Sequence, residues 1–333
     1  MIVKMETRKL IRFGTSSFVV SLPKQWLEEH KVKQGDALFF AREDGRLIIT
    51  SGKQDGKREE ETILIHADGR SIEELRTRIV AAYLNNADII EIRAQDRLHL
   101  AREIKELLRN LSGMEILEQT SRKIAAKNII DEKEVAIDVL MRRMDNITRS
   151  MIEEGIESIQ DKSLYEHIKH RDLDVNRLYY LTARMIRHML KNPDVMHEAK
   201  ATPWGLYSHF LVLRMIEKIA DNQKRIARSL TVIHIPKASA EVLESLYKRL
   251  SEEYLEVMKA YHNHDKEIGL SVTLKNKDIV RECNECLDRF ADAHASGKDP
   301  GSILTPDVVR IFENFKAMAT WINHIAMNVL SID

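Results

Sequence analysis

Leu213-Arg-Met-Ile-Glu-Lys-Ile-Ala-Asp-Asn-Gln-Lys-Arg-Ile-Ala227 decides how most of this chain is read. Its apolar residues continue a stripe through Leu206, Leu213, Ile216, Ala220 and Ala227, the spacing of a helix with one face turned to a core. Shifted by 99 positions, it falls on Phe312-Glu-Asn-Phe-Lys-Ala-Met-Ala-Thr-Trp-Ile-Asn-His-Ile-Ala326, so that Leu213 meets Phe312 and Ile226-Ala227 meets Ile325-Ala326. Identity is low but the layout repeats, which predicts two copies of one helical unit.

Working outward, residues 131–333 read as helical throughout, with long helices near 132–158, 161–191, 203–231, 238–263, 270–296 and 305–331. Asn192-Pro193, His234-Ile235-Pro236 and Gly297-Lys-Asp-Pro-Gly301 are the expected breaks. Leu243, Leu246, Leu250, Tyr254, Val257 and Tyr261 recur at helical steps, and such helices pack into bundles. Upstream, residues 62–130 alternate in the order β-α-β-α-β-β, a small α+β sandwich. Ser71 and Glu74 have capping-box spacing before its first helix. Neither strand-to-helix junction carries a glycine-rich phosphate loop, which argues against a nucleotide fold.

Residues 1–53 read as β-rich. Lys9–Phe13 and Phe18–Leu22 are short strands, Pro23 opens a helix over Lys24–His30, and strands over 37–42 and 46–50 form a hairpin across Glu43-Asp44-Gly45. The polar run 51–61, SGKQDGKREEE, reads as a linker.

Composition narrows the function. The 333 residues carry 52 Lys+Arg against 52 Asp+Glu, so a globally basic nucleic-acid binder is excluded and a locally basic one is not. Residues 1–24 hold Lys4, Arg8, Lys9, Arg12 and Lys24 against Glu6 alone, with small Gly14-Thr15-Ser16-Ser17 between the strands. This pattern suits phosphate-backbone contact, and equally a basic edge that discourages strand aggregation. Two cysteines exclude a disulfide framework and point to a reducing, cytoplasmic setting. No apolar run approaches the roughly 18 residues of a membrane span.

On the helix at 203–231, Glu217 and Asp221 stand four apart on one face beside the apolar stripe. Paired carboxylates between helices suit Mg²⁺, Mn²⁺ or iron; Arg214, Lys218, Arg225 and Arg228 offer surface ion pairs instead. Cys283-x-x-Cys286 has no second pair and sits among acids, and His262-Asn-His264-Asp265 is a candidate metal trap or a polar loop. Trp204 and Trp321 read as core or interface anchors. No nucleophile–base arrangement is present, so the chain does not read as an enzyme.

The stretch RKLIRFGTSSFVVSLPKQWLEEHKVKQGDALFFAREDGRLIIT resembles the AbrB/SpoVT swapped-hairpin DNA-binding domain in its basic strand, its "VVSLPKQWL" junction, its "V-x-x-GD" and its closing hairpin. The resemblance implies an intertwined homodimer, with Arg8, Lys9, Arg12 and Lys24 as DNA contacts. The arginine that usually follows the family's turn glycine is replaced here by Thr15. Glu217-Lys-Ile-Ala-Asp221-Asn-Gln-Lys-Arg-Ile-Ala227 is similar to the PhoU-family signature E-R-I-G-D-H-A-x-N-I-A, and Asp172-Leu-Asp-Val-Asn-Arg-Leu178 to the segment before it. That resemblance implies metal ligation by Glu217 and Asp221, with Asp172 and then Asn176 behind them. It also implies phosphate-uptake control together with a phosphate transporter or sensor kinase. In the second repeat Lys316 and Thr320 replace the carboxylates, and Asp278 and Glu282 are surface charges or relics, so at most one metal site is expected. The whole is similar to an archaeal-type phosphate-uptake regulator; the alternative is a dimeric scaffold that never touches DNA.

Overall fold

The computed structural model describes residues 6–43, 45–51, 60–131, 135–233, 235, 237–296 and 305–331. The chain divides into two compact units, Met1–Glu60 and Glu61–Asp333.

In the first unit β1 (Ile11–Phe13) pairs antiparallel with β2 (Ser17–Val19), Arg12 opposite Phe18. Both strands are shorter than their hydrophobic patterns predict. The turn between them passes through Gly14 at φ +71°, a region that glycine enters without a Cβ penalty. Pro23 precedes α1 (Lys24–Glu29). Strands β3 (Leu38–Glu43) and β4 (Arg46–Ser51) form the second hairpin, with Phe40 opposite Ile49. Asp44 of the expected turn and residues 52–59 of the expected linker lie outside the described residues. No residue of this unit whose exposure is described is buried, and Phe13, Phe18, Phe39 and Phe40 are each at least 60% exposed.

The second unit opens with β5 (Thr62–His66), α2 (Ile72–Leu84), β6 (Ile89–Arg93), α3 (Ala101–Arg109), β7 (Met114–Gln119) and β8 (Lys123–Asn128), the order read from the sequence. The sheet runs β5-β6-β8-β7; β5 and β6 are parallel and the other neighbours antiparallel. Leu75, Ile79 and Tyr83 of α2 and Ile104 and Leu108 of α3 bury against Ile90, Ile92 and Ile124 of the sheet. Ser71 caps α2 by accepting from the Glu74 amide at 3.2 Å, but the Glu74 carboxylate turns to Arg70 and Arg78. Only half of the capping box forms.

The helices follow as α4 (Ile137–Glu157), α5 (Leu164–Lys191), α6 (Pro193–Glu198), α7 (Pro203–Val232), α8 (Lys237–Asn263), α9 (Lys266–Ser296) and α10 (Pro306–Ser331). All six expected long helices are present. The expected break at Asn192-Pro193 holds a short helix, because proline is well placed at a first helical position. Helix α9 starts at Lys266 rather than at 270, since Asp265 accepts from the Ile268 amide at 3.0 Å and starts the helix early. The other two expected breaks lie largely outside the described residues. Helices α4, α5 and α7 pack as one set, α8, α9 and α10 as another, and α7 meets α10 across the seam. The residues matched by the 99-position shift, Leu213 and Phe312, Ile226-Ala227 and Ile325-Ala326, are all buried at that core.

Candidate functional site

Of the four basic residues predicted to meet DNA, Arg8 and Lys9 lie just ahead of β1, Arg12 lies on it and Lys24 opens α1, and all are exposed. Arg12 donates to the Thr15 carbonyl at 3.1 Å, so it braces the turn as well as presenting charge. Arg8 pairs with Glu6 at 2.5 Å and Lys24 with Glu28 at 3.5 Å. Exposed pairs of this kind contribute at most about 1 kcal/mol, so a phosphate competes with them easily.

The carboxylates of α7 and α5 meet, but around a lysine. Lys224 donates to Asp172 Oδ2 at 2.7 Å and to Asp221 Oδ1 at 3.0 Å. Asp221 Oδ2 is engaged by Arg225 at 2.6 Å, and Asn176 Nδ2 donates to Asp172 Oδ2 at 3.2 Å. Glu217 stands apart from them and pairs with its neighbour Lys218 at 3.1 Å. Burial raises the Asp172 carboxyl above its ordinary range despite the pull of Lys224. Burial also works against the Lys224 charge, but its hydrogen bonds to Asp172 and Asp221 outweigh this and keep it protonated. A divalent ion needs several unblocked oxygens around one point. As arranged, these carboxylates do not fit one, because lysine, arginine and asparagine donors occupy them. Among the described residues no group of three or more His, Cys, Asp or Glu is placed to hold a metal ion.

A further polar site escaped the sequence reading. Asp145 on α4 is 1% exposed. It takes both nitrogens of the Arg149 fork, at 2.9 and 2.6 Å, and stands 3.0 Å from His262 Nε2 at the end of α8. His262 is therefore spent on joining the two helix sets, and His264 adopts φ +53° where the chain turns into α9. The i,i+4 spacing of Asp145 and Arg149 was visible in the sequence; the histidine, 117 positions away, was not. Cys283 and Cys286 are buried free thiols. Burial pushes Cys283 up to about 12 and raises Cys286 as well, which leaves neither as a reactive thiolate. Asp278 pairs with Arg281 at 2.7 Å, and Glu282 with Arg249. Trp321 is partly buried against the helical core, whereas Trp204 is half exposed and donates to the Ser331 carbonyl at 3.2 Å, tying down the end of α10.

Comparison with known proteins agrees with this layout. Residues 11–57 match the family described as "Antidote-toxin recognition MazE, bacterial antitoxin", and residues 141–230 match the PhoU domain. The crystal structure of PhoU from Pseudomonas aeruginosa superposes with a TM-score of 0.50 at 15% identity, covering 58% of this chain and 93% of that one. No match was found among curated proteins. The protein is thus multidomain, with a MazE/AbrB-type segment at its N-terminus and a helical region of PhoU fold. Among the described residues no helix is long and apolar enough to cross a membrane.

Proposed function

We propose that this protein is a cytoplasmic DNA-binding regulator of phosphate uptake, acting as a homodimer and without catalysis of its own. The observation that carries the reading is the joining, in one chain, of a MazE/AbrB-type segment bearing exposed Arg8, Lys9, Arg12 and Lys24 to a helical region of PhoU fold. Both matched families are regulatory rather than catalytic. The apolar side chains of the first unit speak for a dimer. A unit of about 50 residues cannot bury an adequate core alone, and Phe13, Phe18, Phe39, Phe40 and Leu47 remain more than half exposed. A second copy laid on those faces buries them and doubles the basic strand. Phosphate contacts of this kind position a protein on a duplex and weaken steeply with salt. The helical region then receives the signal, from a transporter or sensor kinase, and alters the geometry of the dimer.

A second reading has its own observation. The turn Gly14-Thr15-Ser16-Ser17 carries no basic residue, which lowers the charge available for phosphate and favours a hairpin that only dimerises the chain. The protein would then control a transporter or kinase by contact. Selection of fragments from a sheared genomic library by the full-length protein separates the two. Enrichment of DNA upstream of phosphate-transport genes supports the regulator; recovery of no DNA at low salt supports the scaffold.

A further inference from the structure

The two helix sets treat equivalent seams in the same way. Between α5 and α7, Lys224 reaches from one helix to Asp172 on the other at 2.7 Å and is also held by Asp221 at 3.0 Å. Between α9 and α10, Lys316 reaches from α10 to Asn284 Oδ1 on α9 at 3.2 Å and is also held by Glu313 at 2.6 Å. Lys316 itself stands at the position that matches Glu217 under the 99-residue repeat. Each seam therefore contains a cation supplied by the chain, on the third helix of its set, facing an oxygen on the second.

We infer that this bundle is metal-independent, and that the Lys224 ammonium occupies the place a divalent ion would take between Asp172 and Asp221. An ammonium within hydrogen-bond distance of oxygens from both carboxylates stands in the gap that an ion would have to fill. Arg225 and Asn176 close off further approach, donating to Asp221 at 2.6 Å and to Asp172 at 3.2 Å. Charge acts in the same direction: two carboxylates meet the positive charges of Lys224 and Arg225, so no attraction remains for a dication. A divalent ion needs carboxylate oxygens that are open to it. Here the oxygens of Asp172 and Asp221 are engaged by Lys224, Arg225 and Asn176, while Glu217 is held by Lys218. In the second set a lysine replaces a ligand outright, which leaves that seam with fewer carboxylates still. The cation that ties helix to helix is thus covalently part of the protein, and chelators have nothing to remove.

The test is Mn²⁺ binding to the full-length protein, read by electron paramagnetic resonance of the free ion and by the metal content after desalting. Wild type is expected to retain no stoichiometric Mn²⁺ and to melt at the same temperature in EDTA and in Mn²⁺. Lys224→Ala uncovers the carboxylates and is expected to gain about one equivalent. The gain is expected to vanish when Asp172→Asn is added. Lys224→Met preserves the bulk of the stem and serves if the alanine variant fails to fold by circular dichroism. Stoichiometric Mn²⁺ on wild type that Asp221→Asn abolishes would overturn the inference. So would a folded Lys224 variant that gains no Mn²⁺, since the lysine would then not be filling a cation site.

Discussion

The guanidinium of Arg184, buried on α5, donates to the carbonyl oxygen of Tyr83 at 2.7 Å and lies over the Tyr83 ring at 5.0 Å. The same nitrogen donates to the Ala87 carbonyl at 3.1 Å, and Asn86 returns a bond to the Arg184 carbonyl at 3.3 Å. One side chain therefore satisfies the carbonyls at the end of α2 and fastens the sheet layer to the helices.

Arg184→Met keeps the apolar stem and removes the donors. Two buried carbonyls are left without this donor, a loss of about 2–4 kcal/mol. Urea unfolding should show that drop, and hydrogen exchange should show faster opening at residues 83–89 than elsewhere in the sheet layer. Unchanged protection there would mean that the seam is held by packing alone.

Gly155 on α4 faces a second close approach. A Cβ at this position would meet the hydroxyl of Tyr247, which is buried on α8 and donates to Gln223 on α7. Alanine favours an exposed helix by about 1 kcal/mol over glycine. Overpacking a core costs about 1–3 kcal/mol, and here the neighbour is pinned by its hydrogen bond. Gly155→Ala should therefore lower the thermal midpoint, and adding Tyr247→Phe should recover part of the loss. Stabilisation by the single change would contradict this packing.

Glu253 on α8 is 5% exposed, and its Oε2 has no hydrogen-bond partner among the described residues. Burial pushes its carboxyl up to about 7, against the opposing pull of Arg249, Asn276 and Lys275, while Glu256 adds to the rise. In the unfolded chain a glutamate titrates near ~4.3. Below that pH both states hold the proton and burial carries no charge penalty. Between there and about 7 the folded state binds a proton that the unfolded state has released, so stability falls as pH rises. Glu253→Gln removes this dependence. The variant should gain up to about 3–4 kcal/mol on wild type between pH 4 and pH 8 in denaturant titrations. Parallel curves across that range would show that Glu253 ionises without penalty.

The long helices were legible because their apolar residues keep a helical period over many turns, and the buried matches of Leu213 with Phe312 show why the repeat could be seen. Boundaries were less so. Pro193 reads as a stop or as a first helical residue, and only its surroundings choose between them. The candidate site divides in the same way. Glu217 and Asp221 share a helix face by spacing alone. That Lys224 would turn to Asp172, 52 positions earlier, depends on how α5 and α7 pack, and no local pattern carries that. His262 and Asp145 meet for the same reason. In the first unit the first two strands came out shorter than predicted, since apolar runs mark exposed faces as readily as paired backbone.

DNA binding is tested most directly by fluorescence anisotropy of the full-length protein with duplex DNA from upstream of phosphate-transport genes, across a salt series, beside a scrambled duplex. A DNA-binding regulator should bind the upstream duplex more tightly, with a steep loss of affinity as salt rises. Arg8→Ala with Arg12→Ala should weaken binding and reduce the log–log salt slope by roughly one for each phosphate no longer neutralised. Absence of binding at low salt, or binding that neither salt nor the double variant changes, would contradict it.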